Sequence, residues 1–285
     1  FDYKINMRGS LGKVYQIKLR ARKRKRVLFV CLYILLALGA VFSGLSFLSQ
    51  ADFMSVEKIL VRGNERAKIE TVEALVVRET AGNYFYFFSK KNTFLYPAGN
   101  VKEKILALPL IQFVKVERNG LKEIGINLEE RMEDARWCEG DIHETDSCFS
   151  MDENGLIFDV VATSTAFIYR GLISGFPTGS PTTLPIGRNF LPPEEFKKVQ
   201  FFMRELGSFG IAPTEAIFME PNYMTVVLFA GGKLIVNIND DLTAVLSNIS
   251  SVINDKTVAP SLSRFLQKLD YMKLDSGNKV VYKLK

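Results

Sequence analysis

The sequence predicts an α+β protein in which a single transmembrane helix precedes a small β-α-α-β-β module and a mostly antiparallel β domain with two or more helices. Three observations support this prediction. One apolar run near the start, residues 27–48, contains no charged residue. After it, apolar residues recur first at the spacing of strands and then at that of helices. Turn-forming pairs such as Asn119-Gly120 and Gly231-Gly232 divide the remaining chain at short intervals.

The charges around the apolar run predict its orientation in a membrane. Residues 1–26 carry ten Lys or Arg and one acid, so the net charge of +6 is concentrated there. Basic residues beside a span stay in the cytoplasm, which also explains this basic run better than binding to nucleic acid or acidic lipid does. We therefore expect residues 1–26 inside, residues 27–48 in the membrane and the rest outside. The basic residues directly before the run are Arg20, Arg22, Lys23, Arg24, Lys25 and Arg26.

A cleaved signal peptide is the alternative interpretation of the apolar run, because Ser49 and Ala51 form a small-x-small pattern. The apolar core of a signal peptide has about 7–15 residues, fewer than are present here. A helix over residues 27–48 covers about 33 Å, close to the hydrocarbon thickness of about 30 Å. We therefore expect an uncleaved anchor.

Residues 53–131 are predicted to form one compact module with the order strand, helix, helix, strand, strand. Val72 and Val76 lie at helical spacing, and Gly82 follows as a stop signal. The pair Asn119-Gly120 between the last two strands is a strong hairpin signal. The predicted strands cover residues 56–61, 111–118 and 123–131, and the predicted helices cover residues 68–81 and 98–108.

Residues 132–285 are predicted to form the β domain. One helix is expected after Pro192, with acidic residues in its first turn and Gly210 after its end. A second helix is expected with Asp240 as its N-cap. The predicted helices cover residues 193–209 and 241–253, and the predicted strands lie within residues 148–159, 167–173, 216–220, 223–229, 233–238, 272–274 and 279–284.

No arrangement of side chains in the sequence predicts catalysis or a bound cofactor. His143 is the single histidine, and no Ser-His-Asp or Cys-His nucleophile pattern surrounds it. The adjacent Glu129 and Glu130 would point to opposite faces of a strand, so they cannot converge on one atom. We therefore predict a protein that is not an enzyme and that holds neither a metal ion nor a cofactor.

Cys138 and Cys148 flank His143 symmetrically. A metal site is one interpretation, but the cysteines of zinc sites usually come in pairs about two to four residues apart. Both cysteines lie on the predicted outer side of the membrane, where thiols oxidise. We therefore expect a disulfide between them, with two free thiols as a further alternative.

The stretch Tyr84-Phe85-Tyr86-Phe87-Phe88 allows two interpretations. An exposed aromatic patch would indicate a binding surface. Large rings are more often buried, so we expect alternate rings of this stretch to fill the core of the module.

Short motifs follow one another in the order found in one known family. They are FMSVEKILVRGN at residues 53–64, Leu108-Pro109-Leu110-Ile111, Glu130-Arg131 followed by Ala135 and Trp137, DENGLIF at residues 152–158, Leu184-Pro185 with Gly187, and MKLDSG from Met272 through Val280. Behind an anchor, this series resembles the FtsQ/DivIB family of bacterial cell-division proteins over nearly the whole chain. Glu133 departs from the pattern, which usually has proline shortly after the Glu-Arg pair.

The resemblance implies a POTRA module at residues 53–131 and a scaffold role in the divisome, at the septum of the cytoplasmic (inner) membrane. In that family the outer β domain binds FtsB and FtsL, small bitopic membrane proteins, and the complex regulates septal peptidoglycan synthesis. The implied mechanism is addition of a partner strand to the open edge of the C-terminal sheet. The implied partner-binding residues are Met272, Lys273, Leu274, Val280, Val281, Tyr282 and Lys283.

Two other classes of protein are alternatives. A POTRA-bearing component of a transport or secretion system would normally bring a large β-barrel or several such modules. A membrane-anchored cell-wall enzyme would need a catalytic constellation in the β domain. We expect neither from this sequence.

Overall fold

The computed structural model describes residues 8–139, 148–160, 165–171, 184–220, 222–274 and 279–285, with side chains except those of residues 8–22, 219 and 220. The described helices are α1 (Arg8–Ser49), α2 (Ile69–Glu79), α3 (Ala98–Leu106), α4 (Pro193–Ser208), α5 (Leu242–Asn254), α6 (Leu262–Lys268) and a short 3₁₀ turn at Asp52–Met54. The strands are β1 (Lys58–Arg62), β2 (Asn83–Tyr84), β3 (Phe88–Ser89), β4 (Ile111–Asn119), β5 (Glu123–Glu130), β6 (Ala135–Cys138), β7 (Cys148–Met151), β8 (Ile157–Val160), β9 (Phe167–Gly171), β10 (Pro213–Glu220), β11 (Tyr223–Leu228), β12 (Lys233–Asn237), β13 (Leu269–Leu274) and β14 (Val280–Leu284).

This architecture confirms the prediction of a mixed α+β protein with one N-terminal apolar helix and a large, mostly antiparallel sheet. Residues Lys23–Ser49 of α1 form a segment that is long and apolar enough to cross a membrane. The chain divides into two compact units by its internal contacts. The first unit contains the chain up to Arg62, Ile69–Lys102 and Lys115–Asn127, and the second contains Gly63–Lys68, Glu103–Val114 and Leu128–Lys285.

The order strand, helix, helix, strand, strand is present in β1, α2, α3, β4 and β5. These strands form a three-stranded sheet in the order β1-β5-β4. β1 pairs in parallel with β5, from Lys58 opposite Glu123 to Arg62 opposite Asn127. Between the two helices, β2 and β3 form a short hairpin that was not predicted.

The nine-stranded sheet has the order β14-β13-β12-β11-β10-β9-β6-β7-β8. The predicted meander of three strands corresponds to the antiparallel neighbours β10, β11 and β12. Alternate residues of the strands, such as Met224 and Val226 of β11, are buried against α4, α5 and α6. The core also contains Trp137, which is the single tryptophan of the chain.

The crossover from β12 to β13 contains α5 and α6, because parallel neighbouring strands need a long connection. α5 begins one residue later than predicted. Asp241, not Asp240, is its N-cap, and the Asp241 carboxylate accepts a hydrogen bond from the Thr243 N–H at 2.9 Å. α6 was not predicted, although Leu262, Phe265 and Leu266 have helical spacing.

Candidate partner-binding edge

The candidate site is the outer strand at one end of the nine-stranded sheet. β14 pairs antiparallel with β13, from Val280 opposite Leu274 to Lys283 opposite Tyr271. Within the described part of the chain, no further strand pairs with the other side of β14. An edge strand presents N–H and C=O groups on its outer side, and another strand can hydrogen-bond to them.

The opposite end of the same sheet is partly closed. There the Ile157 N–H of β8 donates to the Arg188 carbonyl at 2.9 Å, and the Ile157 carbonyl accepts from the Gly187 N–H at 2.7 Å. Leu156 forms an isolated bridge with Asn189. Of the two ends, β14 therefore offers a partner strand the longer run of open backbone among the described residues.

The alternation of side chains along β13 places two of the predicted partner-binding residues in the core. Met272 and Leu274 are both buried, Met272 to 1% exposure. They lie opposite Tyr282 and Val280 and so share a face of the sheet with them. Because both edges of β13 are already paired, with β12 and with β14, these two residues support the edge strand from within the core.

Val281 and Tyr282 point to opposite faces of β14, as successive residues of a strand do. The Tyr282 ring lies edge-on to the ring of Phe265 in α6, with 5.6 Å between the ring centroids. Val281 lies on the other face, opposite Lys273, and is 58% exposed. Tyr282 therefore holds the edge strand against α6, whereas Val281 is available to a partner.

The charge at the edge is positive. Residues 279–285 include three lysines and no acid. The Lys283 ammonium lies 2.9 Å from the Asp270 carboxylate, and this hydrogen bond and the attraction between the charges raise the pKa of Lys283. Lys279 and Lys285 are exposed. Lysines blunt the tendency of an open edge to aggregate, and they favour a partner strand that carries acidic residues.

Three residues that contact the predicted site were missed by sequence reasoning. Phe265 lies in the unpredicted helix α6, and Asp270 lies at the start of β13, before its predicted beginning. Tyr223 comes from β11, and the Lys273 ammonium lies 5.5 Å from the centroid of its ring. The spacing of Leu262, Phe265 and Leu266 was an available signal for α6, but no local signal pairs Lys273 with Tyr223.

Cys138 and Cys148 form a disulfide with an Sγ–Sγ distance of 2.02 Å. They lie directly opposite each other in the antiparallel pair β6 and β7, which brings their Cα atoms to 4.2 Å. Both sulfur atoms are used in this bond, so neither is a thiolate ligand for a metal. His143 lies outside the described residues.

The Glu-Arg pair and the DENG sequence of the predicted motif series hold the second unit together. The Glu130 carboxylate accepts hydrogen bonds at 2.8–3.0 Å from three successive backbone N–H groups, those of Glu65, Arg66 and Ala67. The Arg131 guanidinium donates to the Asp152 carboxylate at 2.6 Å. These four contacts give Glu130, Arg131 and Asp152 of the motif series a structural role.

The other oxygen of Asp152 shapes the turn that follows β7. Its Oδ1 accepts from the N–H groups of Asn154 and Leu156, each at 2.9 Å. The turn ends at Gly155, whose φ is +79°, and the Cβ of any larger residue would lie 2.9 Å from the Phe196 ring.

The prediction that the aromatic stretch fills the core was wrong. Phe85 and Tyr86 are 85% and 94% exposed, at the tip of the hairpin formed by β2 and β3. Phe87 and Phe88 instead contact Phe42 of α1, with ring centroids 5.1 and 5.2 Å apart. The rings therefore pack against the apolar helix and not against the core of the module.

The predicted topology residues Arg20 to Arg26 all lie in α1, directly before or at the start of its apolar segment. No protein-family profile and no curated protein sequence matches the chain. The function is therefore argued from the geometry of the edge strand and from the helix.

Proposed function

We propose that the protein is a single-pass membrane scaffold of the bacterial divisome, similar to FtsQ/DivIB proteins, and that it is not an enzyme. In this proposal the edge strand β14 captures a strand of a small bitopic partner of the FtsB or FtsL kind. The complex then helps to regulate septal peptidoglycan synthesis. The observation that carries the proposal is the open edge of β14, in contrast to the partly closed edge of β8 at the opposite end of the sheet.

The membrane arrangement has its own support. The segment Lys23–Ser49 is long and apolar enough to cross a bilayer, and basic residues stand at its N-terminal end. We place that end in the cytoplasm and the remainder outside, because Lys and Arg next to a span are retained inside. The element order β1-α2-α3-β4-β5 agrees with a POTRA-like module in the first part of the outer region.

Strand addition suits the geometry of β14 because the main chain supplies the hydrogen bonds and every second side chain supplies selectivity. Val281 is exposed on one face, and the exposed Lys279 and Lys285 give the edge a positive charge, whereas the charge of Lys283 is compensated by Asp270. We expect the captured strand to place an apolar residue beside Val281 and acidic residues near the lysines. Attraction between opposite charges speeds association, and salt weakens it.

The test is a pull-down of the detergent-solubilised full chain against the FtsB-like and FtsL-like proteins of the same organism. We expect saturable binding that decreases as the salt concentration rises. Val281→Asp should abolish capture, since it places an anion on the exposed face of the edge strand. Deletion of residues 279–285 should do the same.

The opposite edge of the sheet offers a matched control. Val160 ends the other outer strand, β8, and is 56% exposed, compared with 58% for Val281. Val160→Asp should leave capture unchanged. Equal loss of binding in both variants would argue against the β14 site, and no binding by the unaltered chain would argue against the scaffold function itself.

A further inference from the structure

The hairpin of β2 and β3 is attached to the side of α1 close to the C-terminal end of its apolar run. Phe42 and Ser46 lie on one face of α1, four residues apart, and Gln50 follows directly after the helix ends at Ser49. The Ser46 hydroxyl and the Gln50 side-chain amide both donate to the Phe87 carbonyl, at 2.7 and 3.1 Å. The Asn92 side-chain amide donates to the Ser49 carbonyl at 3.0 Å. These contacts lie within the first unit and fix the hairpin to the helix.

The ring contacts lie within the apolar run and not only at its C-terminal end. The apolar run ends at Leu48, and Phe42 lies six residues before that end, about 9 Å along the helix axis. Phe87 and Phe88 contact the Phe42 ring edge-on. If α1 crosses a bilayer, the rings of Phe87 and Phe88 therefore lie at a depth where the helix is surrounded by hydrocarbon.

The tip of the hairpin has a sequence that its backbone conformation alone does not favour. Phe85 and Tyr86 have φ values of +47° and +68°, in a turn closed by a hydrogen bond from the Phe87 N–H to the Tyr84 carbonyl. A turn with positive φ at both central positions is normally formed by Asn-Gly or a similar pair. Two large aromatic residues occupy these positions here, and both are almost fully exposed.

The geometry points to a membrane-inserted hairpin. We propose that Phe85, Tyr86 and Phe87 insert into the outer leaflet of the same lipid bilayer that α1 crosses, as a second attachment beside the helix. This inference rests on the proposed function only in its membrane-spanning helix. Aromatic residues are enriched where hydrocarbon meets headgroups, because the ring is apolar and the Tyr hydroxyl still reaches water.

Lipid suits this surface better than a protein partner does. Phe87, which directly follows the two tip residues, contacts Phe42 in the apolar run of α1. The Lys90 ammonium lies 5.5 Å from the Tyr84 ring centroid, and Lys91 is exposed directly after it. Two ammonium groups at the base of an apolar tip match the phosphate layer of a bilayer.

The test uses the full chain in vesicles of phosphatidylethanolamine and phosphatidylglycerol. Cys31→Ser removes the free cysteine, and the disulfide cysteines do not react with a thiol-specific spin label. Single cysteines are then introduced as Tyr86→Cys, Leu38→Cys in the middle of the span and Glu70→Cys at the start of α2. Spin relaxation by oxygen, which concentrates in hydrocarbon, is compared with relaxation by a water-soluble nickel chelate.

At Tyr86→Cys and at Leu38→Cys we expect relaxation by oxygen to exceed relaxation by the nickel chelate. At Glu70→Cys we expect relaxation by the nickel chelate to be the larger. Nickel dominance at Tyr86→Cys, with oxygen dominance at Leu38→Cys, would overturn the hairpin insertion and leave the spanning helix intact. Nickel dominance at Leu38→Cys would overturn the span and the inference together. Low relaxation by both reagents at Tyr86→Cys would show that protein covers the tip, which also contradicts lipid insertion; Phe85→Cys repeats the measurement at a second position.

Discussion

The ring of Tyr282 in the edge strand lies edge-on to the ring of Phe265 in α6, at an interplanar angle of 71° and a centroid distance of 5.6 Å. Phe265 is buried, so the tyrosine covers one side of the core of the second unit. The last strand is thus held by a side-chain contact as well as by its hydrogen bonds to β13. A substitution at Tyr282 alters both the stability of the sheet and the proposed partner site.

We expect Tyr282→Ala to lower the free energy of unfolding by at least about 1 kcal/mol, since a paired aromatic ring contributes roughly 0.5–1.5 kcal/mol in addition to the apolar area that the truncation also removes. Val281→Ala, on the exposed face, should change it by less than about 0.5 kcal/mol. Urea denaturation followed by the fluorescence of the single, buried Trp137 measures both variants. Equal effects of the two substitutions would show that the Tyr282–Phe265 contact does not stabilise the edge strand.

Gly63 is expected to be intolerant of any side chain. Its φ is +78°, and a Cβ at this position would lie 2.2 Å from the Leu128 carbonyl oxygen. Gly210 has almost the same φ, +76°, but its Cβ would lie 3.4 Å from the end of the flexible Leu262 side chain. Gly210→Ala should therefore cost only the roughly 1–2 kcal/mol of a left-handed conformation.

Gly63→Ala should cost about 1–3 kcal/mol more than Gly210→Ala, because a backbone carbonyl has to move. Both glycines belong to the second unit, so the fluorescence of Trp137 in urea reports on both variants. Similar losses of unfolding free energy in the two variants would mean that the chain around Leu128 adjusts without cost.

Loss of the disulfide is expected to lower the free energy of unfolding by a defined amount. It closes a loop of 11 residues, Cys138–Cys148, and the entropy of such a loop in the unfolded chain corresponds to about 2–3 kcal/mol. Replacing both cysteines by serine should lower the unfolding free energy by that amount, and Cys31→Ser should not change it. Thiol labelling of the oxidised protein should find Cys138 and Cys148 protected; full labelling without reductant would contradict the bridge.

The free energy of unfolding is expected to depend on pH through the carboxyl group of Glu130. Burial raises the pKa of its carboxyl, but the three backbone N–H donors and the Arg66 guanidinium outweigh burial and hold the pKa below the ordinary 4.5. A lowered folded-state pKa means that the carboxylate stabilises the fold above pH 4.5 and that this contribution is lost as the pH falls through the folded-state pKa.

We expect Glu130→Gln to be less stable than the unaltered chain at neutral pH, with the difference shrinking below pH 4.5. Denaturation in urea across a pH series measures this difference. Glu153→Gln removes an exposed acid of the same unit and serves as the control for net charge. A difference that stays constant with pH would assign the effect of Glu130→Gln to its shape and not to its charge.

Several parts of the fold were predictable because one local property decides them. The apolar run of α1 needs no partner to be recognised, since the absence of charge over residues 27–48 is already incompatible with an exposed soluble helix. The helix over residues 193–208 was predicted to within one residue, because its apolar spacing is followed by Gly210 with a positive φ. The pair Asn119-Gly120 marked the hairpin between β4 and β5 for the same kind of reason.

The candidate site was predictable in position but not in contacts. Residues 279–284 were expected to form a last strand, and β14 is Val280–Leu284. Which of the predicted residues face the core depends on the register with β13, which places Met272 inside and Lys273 outside. No local signal relates Lys283 to Asp270, because that ion pair exists only once the strands have paired.

The sequence by itself determined the apolar helix with its basic flank, the α+β class and the placement of most helices and hairpins, since each follows from the spacing and charge of neighbouring residues. Only the tertiary structure decided that Phe87 and Phe88 pack on Phe42 and not in the core of the module, and that β14 keeps an open edge while β8 is partly paired. Those outcomes depend on contacts between segments far apart in the chain. The apolar pattern of one segment shows that it will be buried or paired, but not which distant segment it will pack against or pair with.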